Sequence, residues 1–431
     1  MRSGRVALAG LASLALTVLP AAGAEQSEAD AHWVGAWATG QQPPHVGLSL
    51  GPASGISEAG FDNQTVRLLV YPTFSGDHLR IRLGNTFGAQ PLTVGAAAVG
   101  LQSEGAALVP ESTHAVTFAG RRTVRIPIGA ETYSDPVTMA IEPGQMLAVS
   151  VYVPAKTGPV SWHRTAWQTS YVSAPGDHTG DQDSDAYAAS AATSWFWLDG
   201  VDVAAPGDAY AIVTLGDSIT EGTNSTVDAN ARWPDVLARR LSSQPGNRAS
   251  VLNVGIGGNR IENDSPCFGT SALARVPRDV LAQDGVRYVI LMEGTNDLGF
   301  SNYTEATVPS NRPLACYQPN ADVPLEQLIA GDEQLIEQVH LKGLTIIGAT
   351  LTPFKGSVHF SPASEAKRQQ LNDWIRTSEA FDGVIDFDAA VRDPDDPQGI
   401  LPAFDSGDHL HPNDAGYEAM ANVIDLSLLA P

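Results

Sequence analysis

Positive charge is scarce in this chain of 431 residues: 25 lysines and arginines face 48 aspartates and glutamates, a formal net charge of −23. Such acidity repels nucleic acid and anionic membrane surfaces, so neither is an expected partner. Cysteine is scarcer still, with Cys267 and Cys316 alone. Neither stands in a metal-ligand spacing, which leaves one disulfide between them or two free thiols; an oxidising compartment favours the disulfide. Long apolar runs are missing too, and beyond the N-terminal stretch nothing competes as a membrane span. There is no internal repeat and no long low-complexity tract. The four aspartates between Asp177 and Asp185 lack EF-hand spacing, so a solvated acidic loop is expected there rather than bound Ca²⁺.

What is present begins with a leader. Arg2 and Arg5 precede a largely apolar run from Val6 to Pro20, and Ala22-Gly23-Ala24 supplies small residues before Glu25. This is the pattern of a secretory signal over 1–24, with cleavage after Ala24 and export of the remainder. Removing the leader takes two positive charges with it. At about 400 residues the mature chain is long for one core, so two domains are expected.

From Trp33 to Asp202 the chain is β-rich. Leu79-Arg80-Ile81-Arg82-Leu83 and Val149-Ser150-Val151-Tyr152-Val153 alternate as half-buried strands do, and Gly, Pro, Asn and Asp punctuate the gaps. A β-sandwich of jelly-roll type is expected over 25–204. Ala205-Pro206-Gly207-Asp208 is a turn-rich junction. Over 205–431 strand-like runs at 211–216, 251–255, 288–293, 345–350 and 384–387 alternate with helical stretches at 234–241, 325–341, 364–378 and 414–429. That alternation implies a parallel sheet covered by helices on both faces. In such sheets reactive groups gather at the carboxyl ends of the strands.

Four short blocks fall in the C-terminal half: Gly216-Asp217-Ser218-Ile219-Thr220, Asn253-Val254-Gly255-Ile256-Gly257-Gly258-Asn259, Gly294-Thr295-Asn296-Asp297 and Asp408-His409-Leu410-His411-Pro412-Asn413. Ser218, Gly258 and Asn296 each sit just past an expected strand end. Ser218 is the candidate nucleophile, His411 the base that accepts its proton, and Asp408 the carboxylate that orients the imidazole. Backbone N–H groups of Ser218 and Gly258 and the side-chain amide of Asn296 are candidate oxyanion donors. Glycine at 258 keeps a side chain out of the substrate's path. His409, two residues from His411, is expected to point elsewhere, and no further matched ligands suggest a metal.

These blocks resemble those of the SGNH, or GDSL-type, hydrolase superfamily. The resemblance covers roughly 210–429 and implies a flavodoxin-like three-layer α/β/α fold and ester hydrolysis without a cofactor. It places the family's serine, glycine, asparagine and histidine on Ser218, Gly258, Asn296 and His411, and its aspartate on Asp408. Trp33-Val34-Gly35-Ala36-Trp37-Ala38-Thr39, Leu83-Gly84-Asn85-Thr86-Phe87-Gly88 and Pro91-Leu92-Thr93-Val94-Gly95 are similar to the secreted two-domain branch, whose members include GDSL lipases, acylhydrolases and proteins like xylan esterases.

An ester substrate is therefore expected, in first place a short acyl ester such as acetyl on a polysaccharide. A lipase or general carboxylesterase acting on longer chains is the alternative among hydrolases, and an acyltransferase would use the same acyl-enzyme. A non-catalytic carbohydrate-binding protein is the alternative of another class, which an intact Ser218, Asp408 and His411 disfavour. Trp162, His163, Trp167, Tyr171, Trp195 and Trp197 are read either as sugar-stacking faces or as core. The proline-containing segment 298–324 is read as a lid, a binding wall or a surface excursion tied down by the disulfide.

Overall fold

The computed structural model describes Met1 and residues 32–48, 50, 52–187 and 191–430. Apart from Met1, the expected leader lies outside them. Residues from His32 onward form one compact unit. The junction at 205–208 marks a change of architecture rather than a break, because the same apolar core continues across it.

Before the junction two antiparallel sheets dominate. One carries Trp33–Ala38, Leu198–Ala204, Gly76–Gly84 and Val137–Ile141 side by side; the other centres on Leu147–Val153, flanked by Gln64–Val70 and Ala96–Glu104. Valine, leucine and isoleucine from both sheets share the core, as with Val66, Leu68, Leu79, Ile81, Val149 and Val203. Trp162, Trp195 and Trp197 are buried in this region, and Trp195 meets Trp37 edge to face at 4.8 Å. Core packing accounts for these three, and sugar stacking does not.

After the junction five parallel strands lie in the order Ala249–Asn253, Tyr210–Gly216, Val286–Met292, Thr345–Ala349, Gly383–Ile385. Numbered along the chain this is 2-1-3-4-5, the flavodoxin-like order, whose switch point lies at the carboxyl ends of the first and third strands. The helices Trp233–Ser242, Leu325–His340, Pro362–Thr377 and Asp414–Asn422 fall where the sequence pattern places them, the last ending earlier than expected. Phe387 was expected to close a strand; instead Asp386 caps the short helix Phe387–Val391 by accepting from Ala389 N–H. A further helix, Ala272–Asp279, contains Pro277, whose presence hides the helical pattern.

The two regions meet where Trp33–Ala38 runs against Ala249–Asn253, the edge strand of the parallel sheet. Gly35 N–H donates to Asp284 O at 3.0 Å and Ser250 Oγ donates to Gly35 O at 2.6 Å. Thr73 Oγ1 stands 3.0 Å from both the N–H and the carbonyl of Val251. Polar groups on that edge are thus matched by the other region instead of being left to pair with another chain. Arg80 reaches Asp284 at 2.7 Å across the same seam.

Candidate active site

The Tyr210–Gly216 strand is buried throughout and delivers the chain to a tight turn. A side chain at Gly216 would stand 2.4 Å from Met292 O, so only glycine lets the strand end pack so closely on its neighbour. Asp217 then caps the Ser218–Glu221 helix by accepting from Ile219 N–H, and Ser218 opens that helix. Ser218 Oγ lies 2.8 Å from His411 Nε2, and His411 Nδ1 lies 2.6 Å from Asp408 Oδ2. Burial alone would raise the Asp408 carboxyl, but hydrogen bonds from the His411 ring and from the His411 and Leu410 N–H groups hold it well below the usual carboxylate range. An ionised Asp408 fixes the tautomer with hydrogen on Nδ1 and leaves Nε2 free to accept. His409 turns away and pairs with Asp405 at 2.6 Å, as expected.

The glycine block follows the edge strand. Gly258 has φ +80, and a Cβ there would sit 2.4 Å from the Phe268 ring. A packed aromatic ring and a left-handed backbone therefore add two further reasons for glycine at 258. Among the described residues neither Ser218 N–H nor Gly258 N–H donates to a backbone carbonyl. Asn296, in the short Thr295–Gly299 helix that follows the third parallel strand, donates from Nδ2 to Asn259 O at 2.9 Å, and its second acceptor is Asp217 Oδ2 at a longer 3.3 Å. Ser218, Gly258, Asn296, Asp408 and His411 all line one cavity of about 400 Å³. Among the described residues no group of three or more His, Cys, Asp or Glu side chains is placed to hold a metal ion.

The sequence model of the GDSL-like lipase/acylhydrolase family matches residues 214–419, the stretch that supplies all five of these residues. Residues 214–419 form a GDSL-like lipase/acylhydrolase domain. The protein is accordingly a hydrolase acting on esters. Solved structures similar to it include a GDSL-like lipase from Bacteroides thetaiotaomicron (18% identity, 51% of this chain and 87% of that one, TM-score 0.34). A lipolytic G-D-S-L family protein from Veillonella parvula shares 18% identity over 50% of this chain and 96% of its own, with TM-score 0.34. An acetyl-xylooligosaccharide esterase from Geobacillus Stearmophilus shares 20% identity over 52% of this chain and 96% of its own, with TM-score 0.36. Likenesses at this level carry no inference about substrate. No curated protein matches the chain.

Several residues of the acylhydrolase site escaped sequence reasoning. Arg275, buried in the Ala272–Asp279 helix, donates to Gly216 O at 2.9 Å, Val254 O at 2.6 Å and Asn259 Oδ1 at 2.8 Å. One guanidinium thereby ties the nucleophile turn to the glycine block. His359 lines the cavity and stands with Nε2 3.2 Å from Asn296 Oδ1, while Tyr303 OH is 3.3 Å from its Nδ1. Burial, with His411 nearby, pushes the His359 imidazole down to about 3, so it is neutral and donates from Nε2 to fix which way the Asn296 amide faces.

The Cys267–Cys316 disulfide is formed and joins the loop after the glycine block to segment 298–324. Around it Phe268, Phe300, Tyr303 and Tyr317 make a separate aromatic cluster, with Tyr303 and Tyr317 stacked at 4.1 Å. The segment is a wall of the cavity, contributing Phe300, Tyr303, Arg312 and Tyr317 to its lining. A further contribution comes from the other region of the molecule: Arg164, just after the short Trp162–His163 strand, also lines the cavity.

Proposed function

We propose that the protein is an exported serine esterase that removes short acyl groups, acetyl foremost, from carbohydrate hydroxyls. The observation that carries this reading is the unbroken hydrogen-bonded line from Ser218 Oγ through His411 to Asp408 at 2.8 and 2.6 Å. Ser218 attacks the ester carbonyl as its proton passes to His411 Nε2. The tetrahedral oxyanion is held by the Ser218 and Gly258 N–H groups and by the Asn296 Nδ2 hydrogen that leaves its longer contact with Asp217 Oδ2. His411 returns the proton to the departing alcohol, then takes one from water, whose attack on the acyl-enzyme frees the acid and regenerates Ser218.

A short acyl group is favoured by the size of the cavity, near the low end for small-molecule sites. Its polar lining, including Thr223, Asn224, Asn311 and Ser357, suits a hydroxylated alcohol. Export is supported by the leader pattern over 1–24 and by the disulfide. The strand-rich region we read as a β-sandwich domain that braces the hydrolase.

The test compares wild type with Ser218→Ala on acetylated xylan and on p-nitrophenyl esters of rising chain length. Serine-dependent acetate release from xylan is expected. Serine-dependent activity confined to long-chain esters would replace this reading with a lipase, and activity on neither would remove the esterase.

A further inference from the structure

In this acidic chain the cavity beside Ser218 carries two arginines, Arg164 and Arg312. Their guanidinium carbons lie 5.6 and 5.4 Å from the centroid of the same Phe268 ring. Several other buried arginines are closed on carboxylates, as with Arg232 and Asp235 at 2.5 Å or Arg368 and Asp388 at 2.7 Å, and Arg67 and Arg260 are closed on backbone carbonyls. Among the described residues neither Arg164 nor Arg312 has a carboxylate oxygen within 4.0 Å. Arg164 Nε is buried with no hydrogen-bond partner.

The acid whose charge acts on Arg164 is Glu221, which makes no hydrogen bond to it and whose Oε1 is buried without a hydrogen-bond partner. Its Oε2 accepts from Thr223 Oγ1 at 3.2 Å and its Oε1 faces His163 Nε2 at 3.4 Å. Burial and then the charge of Arg312 pull the Arg164 guanidinium down to about 10. Two like charges held close and partly desolvated raise the energy of the empty cavity, and an anion between them lowers it. The backbone at Arg164 is pinned from both sides: its N–H donates to Gln42 Oε1 at 2.9 Å and its carbonyl accepts from Ser194 Oγ at 2.6 Å. Arg164 Nη2 lies only 3.4 Å from where a Cβ on Gly257 would stand, next to Gly258.

We propose that the natural ester carries a carboxylate, which Arg164 and Arg312 bind while its ester carbonyl faces Ser218. This rests on the serine-esterase reading above. A planar guanidinium fork is suited to a carboxylate, and two of them fix both its charge and its orientation.

Two matched pairs of esters test it. Ethyl hydrogen succinate against ethyl levulinate places a carboxylate or its neutral isostere on the acyl side. An O-acetylated methyl glucuronoside against its methyl ester does the same on the alcohol side. In one pair the charged member should be preferred by about tenfold or more in kcat/KM, the usual scale for a hydrogen bond to a charged group. Arg312→Gln should bring that ratio close to one, and Arg312→Lys should retain part of it. Serine-dependent hydrolysis with no preference for the charged member in either pair would overturn the proposal. Calorimetry of succinate and of glucuronate with Ser218→Ala supplies a readout that needs no turnover. Binding lost in the added Arg312→Gln change supports the anion site even if the esterase reading fails, and absence of binding to both counts against the site.

Discussion

The two regions of this molecule use their buried polar groups differently. In the strand-rich region, alternating apolar residues fill a core between sheets, and the buried charges brace strands and loops away from the reacting groups: Arg67 on backbone carbonyls and Arg82 on Asp199. In the acylhydrolase domain the sheet is equally apolar, but its carboxyl ends rest on buried charge: Asp217, Glu221, Glu293, Asp297 and Arg275 all lie within a few residues of the reacting groups or bond to their turns. Both accept costly burial of charge, but the second concentrates it at the turns that carry the reacting groups.

Asp408→Asn strikes only the second region and should have the largest effect. It removes the acceptor that fixes the His411 tautomer, so kcat/KM should fall by about 10³- to 10⁴-fold. Stopped-flow acylation with a chromogenic ester measures this, and a loss below tenfold would remove Asp408 from the machinery. Thr73→Val strikes the seam. It strips both the N–H and the carbonyl of Val251 of their hydroxyl partner. A loss of about 1–3 kcal/mol in unfolding free energy is expected, read by denaturant titration, with the charge network of the site untouched. An unchanged midpoint would mean that water replaces the hydroxyl.

The smallest effect concerns the buried acids. Burial raises the Asp297 carboxyl to about 7, despite the Ile261 N–H and Arg260. A raised carboxyl binds its proton more tightly in the folded state, so its contribution to stability is full below the ordinary aspartate range. That contribution fades as pH rises through about 7. Stability should therefore decline from pH 5 to 8, and less steeply in Asp297→Asn, as followed by thermal melting across that range. Equal slopes in the two proteins would assign the decline to other groups.

The sheet and the four blocks were legible because each has a local signature. A buried apolar run ending in Gly216-Asp217-Ser218 announces a strand, a turn and a helix start, and Asp408 with His411 fits one short turn. Residues whose importance comes from distant partners were not legible. His359 is a single histidine in a serine- and proline-containing loop, and only the fold brings it to Asn296. Arg275 lies in a helix disguised by Pro277. Arg164 belongs to the region that carried no catalytic motif, and nothing near it in sequence hints that its side chain ends beside Gly257. The aromatic stretch left two readings open, since burial in a core and exposure in a groove draw on the same tryptophans, and Trp162, Trp195 and Trp197 proved to be core.

The staple formed by Arg275 divides the site into parts with different freedom to change. The nucleophile turn and the glycine block share a single anchor, so neither can shift without straining the other. Segment 298–324 touches none of the Arg275 bonds; it is held across the cavity by the disulfide, a cluster of rings and hydrogen bonds such as those from Arg260 to Gln318 O and Pro319 O and between Tyr303 OH and His359 Nδ1. Apart from Tyr303, which supports His359 behind Asn296, its side chains can be exchanged while the reacting atoms keep their places. New substrates would then arise by refitting the wall, with the chemistry left as it stands.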